Sequence, residues 1–98
     1  MEYINGQIDL DFIKKQVREI LDRDKSVTKV SVMRTSLLPK SAKKVKEFKY
    51  AIDRGHQYLI TALRGDKEPK YIFMKNYGSE DPGVTELLGS EDQVVITR

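Results

Sequence analysis

The sequence contains no cysteine and one histidine, His56. The first absence excludes disulfides, thiolate metal sites and a cysteine nucleophile. The second leaves any metal site or catalytic base to one imidazole and the carboxylates. No apolar run approaches the ~20 residues that span a bilayer. The opening Met1-Glu2-Tyr3-Ile4-Asn5-Gly6 lacks the basic start and apolar stretch of a signal peptide. The expected setting is cytoplasmic, in a cell or in a cell infected by a virus, with no membrane partner. A Gly-rich phosphate loop, a nucleophile motif around any serine, internal repeats, low-complexity tracts and linkers are all missing. These absences point away from an enzyme, and neither a cofactor nor a metal is expected.

What is present is a chain of 98 residues, the size of a single domain spanning 1–98, with 34% charged and 39% apolar residues. The apolar residues fall in periodic blocks, which argues for a folded domain with one modest core. The net charge of +3 conceals an asymmetry. Residues 1–13 carry −3, residues 14–54 carry +8 and residues 55–98 carry −2. The positive charge is concentrated in one stretch.

Leu10, Ile13, Val17, Ile20 and Leu21 recur at helical spacing and predict a helix over 10–22, with Asp9 as N-cap. The β-branched segment 26–34 predicts a strand. Ser41 is placed to cap a second helix to Asp53, with Gly55 to end it. Residues 57–63 and 70–77 predict a hairpin around the Gly- and Pro-containing segment 64–69. Pro82 and Gly83 start a short helix ended by Gly89, and Gln93 to Thr97 forms a last strand. The expected fold is α+β: an N-terminal helix, then βαββαβ. That order resembles the ferredoxin-like superfold, which implies a four-stranded, mainly antiparallel sheet with helices on one face.

The second helix carries the most suggestive surface. Steps of 100° place Lys43, Lys46, Tyr50 and Arg54 together, opposite Val45, Phe48 and Ile52. With Lys40, Lys44 and Lys49 they make a basic face containing an exposed tyrosine, suited to phosphate contacts with DNA or RNA. On the second hairpin strand, Tyr71, Phe73, Lys75 and Tyr77 alternate onto one face. This face resembles, in part, the base-stacking sheet of RNA-recognition-motif domains. The first strand here has no aromatic, however, and the glycines of that family's third-strand motif are missing. Core packing is the plainer account of these rings.

Two catalytic patterns need weighing. His56 falls at a helix–strand junction, where a surface or turn role accounts for it. Asp53 and Glu68-Pro69-Lys70 resemble the spaced Asp and Glu-x-Lys of a metal-dependent nuclease superfamily, whose carboxylates bind Mg²⁺. The resemblance rests on three residues, and Pro69 is expected to place them in a hairpin turn. A small non-enzymatic binding module contacting nucleic acid is the reading these residues favour. The alternative is a protein-binding inhibitor or adaptor, of the size of many phage or plasmid regulators, using the aromatic strand face as interface anchors. An open sheet also leaves two edges through which two copies could pair as a homodimer.

Overall fold

The computed structural model describes residues 2–77 and 82–98. The chain runs β1 (Glu2–Gly6), α1 (Leu10–Arg23), β2 (Lys29–Arg34), a 3₁₀ turn (Thr35–Leu37), α2 (Lys40–Lys43), α3 (Lys46–Asp53), β3 (Tyr58–Arg64), β4 (Lys67–Asn76), α4 (Pro82–Leu88) and β5 (Gln93–Thr97). The strands form one mixed sheet in the order β1-β4-β3-β2-β5. β1 pairs parallel with β4, and every other neighbour is antiparallel.

Three expectations about the fold are corrected. The chain begins with a strand, not with the N-terminal helix. The sheet has five strands, not four. Its order does not match the ferredoxin-like arrangement, because the two strands flanking α2 and α3 pair with each other. The β5-β2-β3-β4 portion instead has the 4-1-2-3 order of a Greek key. β1 escaped the sequence reading because it is short and ends in Gly6. It is held by parallel pairing of Tyr3 with Phe73 and Ile4 with Met74, about seventy residues away.

The helices also lie on both sheet faces rather than one. Ile13, Val17 and Ile20 of α1 and Val84 and Leu88 of α4 pack against Val30, Val32, Tyr58, Ile60, Ala62, Ile72 and Met74. On the opposite face Phe48 and Ala51 of α3, with Leu38, pack against Leu59 and Phe73. Three consecutive residues, Tyr58, Leu59 and Ile60, are therefore all buried, as in a strand covered on both faces.

Local chemistry explains the element ends. Asp9 Oδ1 accepts from the Phe12 N–H at 2.7 Å and caps α1 as expected. The Arg98 guanidinium closes the other end, donating to the Leu21, Asp24 and Val27 carbonyls at 2.6, 2.9 and 2.9 Å. A cation there also meets the negative end of the helix dipole. The expected helix 41–53 is interrupted: Val45 is extended (φ −65, ψ 131), and α2 and α3 are separate. α3 ends as expected at Gly55, in the left-handed region (φ 84), where a side chain would be strained. The His56 N–H reaches back to the Ala51 carbonyl and the Gly55 N–H to that of Ile52, a Schellman closure.

Candidate functional site

The positive stretch 14–54 folds onto two opposite surfaces. Lys14, Lys15, Arg18 and Arg23 ride on α1, whereas α2 and α3 lie across the sheet. The basic surface to weigh is therefore the outer side of α2 and α3 alone.

That side is aimed outward by the aromatic core beneath α3. Phe48 meets Tyr71 and Phe73 edge-on, with centroids 5.0 and 5.3 Å apart. Fully buried Ala51 brings the helix close to the sheet. Lys46, Lys49, Tyr50, Asp53 and Arg54 are consequently exposed.

The predicted residues do not all behave alike. Lys49 is paired with Asp53 at 3.0 Å, and Lys43 Nζ donates to the Ser36 carbonyl at 3.0 Å. Lys40, Lys44 and Lys46 are exposed and have no side-chain partner among the described residues. The Arg54 guanidinium carbon lies 3.7 Å above the Tyr50 ring centroid, a cation–π contact. The break at Val45 moves Lys43 onto α2, so the helical set on α3 is Lys46, Tyr50 and Arg54.

Tyr3 was not anticipated. β1 brings its ring edge-on to Tyr50 (5.6 Å between centroids), stacked on Phe73 (5.8 Å, 16°) and edge-on to His56 (5.3 Å). Tyr3 thus joins the aromatic strand to the basic helix. Tyr3, Lys46, Glu47 and Tyr50 line an open groove of about 310 Å³. The two tyrosines are 39% and 45% exposed, enough for a flat ligand to reach their rings. The one sequence signal for Tyr3 was an aromatic beside Ile4 in an otherwise polar start.

The aromatic strand face is divided. Phe73 is fully buried, Tyr71 and Lys75 are half-buried, and Tyr77, just beyond β4, is 76% exposed. The face is core at its centre.

His56 is buried rather than on the surface. Its Nδ1–H donates to the Ala51 carbonyl at 3.0 Å, adding to the closure of α3, and Nε2 has no partner among the described residues. Glu68, Pro69 and Lys70 lie within β4, not in the turn, which is tightened to Gly65 and Asp66. They sit at the hairpin end of the strand. Asp53 ends α3 next to Gly55, against which Lys75 packs seven residues further along β4. At about 3.3 Å per residue this separation is roughly 20 Å, too far for a shared ion. Among the described residues no group of three or more His, Asp or Glu side chains is placed to hold a metal. Among them, too, no helix is long and apolar enough to cross a membrane. No protein-family model matches the chain, and comparisons with curated proteins and with solved structures found no match either.

Proposed function

We propose that this protein is a non-enzymatic binding module that contacts nucleic acid through the outer side of α2 and α3. The observation that carries the reading is the Tyr3/Tyr50 groove, flanked by Lys46 and by Arg54 stacked on Tyr50, with Lys40 and Lys44 free nearby. Cations without carboxylate partners are suited to phosphate oxygens, and exposed rings to base faces. Val45 offers no side-chain cap to α3, so the first N–H groups of the helix are left to solvent or to an anion. The sequence-level alternative, an inhibitor or adaptor docking through Tyr71, Phe73, Lys75 and Tyr77, has less surface to use, because Phe73 is fully buried.

The test is fluorescence anisotropy with short single-stranded and duplex oligonucleotides at low salt. Binding is expected to weaken as salt rises. Charge reversal at Lys44 and Lys46 together should cost at least tenfold in affinity and lower the salt slope by about two. Tyr50→Ala should weaken a single strand by about 1–3 kcal/mol while leaving the salt slope unchanged. Absence of binding to any DNA or RNA at low salt would overturn the proposal.

A further inference from the structure

The sheet leaves one edge unusually open. β5 pairs only with β2, and among the described residues no strand lies on its other side. Natural edges are guarded by charge, proline, glycine-rich bulges or burial. β5, Gln-Val-Val-Ile-Thr, has no charge, proline or glycine. The opposite edge, β1, carries Glu2 paired with Lys70 and ends in Gly6.

The direction of the unused backbone groups follows from the ladder. The Arg98 N–H donates to the Thr28 carbonyl at 3.0 Å, and the register pairs Ile96 with Val30 and Val94 with Val32. The other side of β2 agrees. The Thr35 N–H donates to the Gln57 carbonyl, which assigns Met33 and Ser31 to β3 and leaves Val32 and Val30 for β5. Bonded and non-bonded pairs alternate in an antiparallel ladder. Val94, Ile96 and Arg98 therefore point their backbone groups inward to β2. Gln93, Val95 and Thr97 point theirs to the open edge.

From this we infer that two copies of the chain pair through β5, antiparallel, about a two-fold axis at Val95. That register is self-complementary at every position. Val95 meets Val95 of the second copy and Gln93 meets Thr97, in the bonded pairs that supply roughly six inter-chain hydrogen bonds. Val94 meets Ile96 in the closer, non-bonded pairs, and both are only half-buried in one chain. One step outward, exposed Asp92 falls opposite Arg98, so the flanking charges are opposite. The α1 rim beside β5 carries both signs, Lys14, Arg18 and Asp22 around Val17, Leu21 and Ile96. The product is a continuous ten-stranded sheet, from five strands in each copy.

The test is the mass of the full chain by light scattering, from micromolar to sub-millimolar concentration. The expected result is a concentration-dependent rise towards twice the 11.3 kDa chain mass. Val95→Pro removes only an outward N–H, so the β2 ladder is retained while pairing is lost. Val95→Lys, which sets two ammonium groups face to face on the axis, reads the same loss should the proline variant fail to fold. The chain has no cysteine of its own, so single cysteines report the register. Val95→Cys should cross-link readily. Gln93→Cys and Thr97→Cys, each more than 7 Å from its own copy in this register, should not. A chain that is monomeric throughout, a Val95→Lys variant that still pairs, or equal cross-linking at all three positions would overturn the inference.

Discussion

The two faces of the sheet use the same strands to different ends. Among the described residues one, under α1 and α4, buries a cluster of fourteen that runs across all the central strands. The other buries five, Leu38, Phe48, Ala51, Leu59 and Phe73, beneath a helix of eight residues. The larger face is a core. The smaller one is a platform that holds α3 and the Tyr3 ring in place. It leaves Thr61, Leu63 and Val95 of the remaining sheet floor partly or largely exposed. Division of labour follows: the first face supplies stability, and the second positions the groups proposed to bind.

The sharpest way to break this comparison uses adjacent residues of β3. Ile60 is fully buried on the α1 face and Leu59 almost so on the α3 face. Ile60→Ala opens a cavity among strands and two helices that cannot close around it, and should cost about 4 kcal/mol. Leu59→Ala lies under a short helix that can settle inward, and should cost about 2 kcal/mol. Urea unfolding of the two variants measures the difference. Equal losses would mean that α3 is as firmly built in as α1.

The unequal faces also explain what could be read from the chain. α1 was legible because its stripe and its Asp9 cap agree with each other. β5 was legible as five residues without a breaker, and Gly55 was legible as a helix stop. The placement of helices on both faces was not, because periodicity shows that a helix has an apolar side but not which sheet face receives it. A signal was there: Tyr58-Leu59-Ile60 is apolar without alternation, and Tyr71 to Met74 is apolar on both sides, the mark of two-sided burial. β1 and the Tyr3 contact depend on pairing with β4 across nearly the whole chain, which local pattern cannot carry. Of the basic face, the Tyr50–Arg54 pair at i, i+4 was legible. The loss of Lys49 to Asp53, and the break that moves Lys43 away, depend on side-chain partners and on Val45's extended backbone.

A smaller effect sharpens the account of the first face. Arg98 reaches three carbonyls at the end of α1 and the start of β2. It ties the last strand to the helix that covers it. Arg98→Ala should cost about 1–2 kcal/mol, a modest sum because the side chain is partly in water. Arg98→Lys should recover less than half of this, since an ammonium cannot span the same three acceptors. Thermal unfolding of both variants would show it. A loss below about 0.3 kcal/mol would assign the end of α1 to backbone bonds alone.

The smallest effect lies at the same corner. The Ser26 hydroxyl and N–H both donate to Asp24 Oδ1, holding its carboxyl below the usual carboxylate range. Desolvation opposes these two hydrogen bonds, and Arg64, 3.8 Å away, and then Lys67 add lesser depressions. A depressed folded-state value means that the stabilisation is fully present above the unfolded value of about 3.9. It is lost as pH falls through the lower, folded value. Ser26→Ala removes the largest of these influences and leaves the backbone donor in place. An NMR titration should therefore show Asp24 rising towards its ordinary value in Ser26→Ala, and by less in Lys67→Ala. The acid limb of the stability curve should flatten in the same order. High salt should remove the Lys67 effect, which is charge alone, and spare the Ser26 effect, which is a hydrogen bond. An equal shift in the two variants would mean that the charge of Lys67 depresses Asp24 as much as the Ser26 hydroxyl does, and that the hydrogen bond is not what sets this carboxyl.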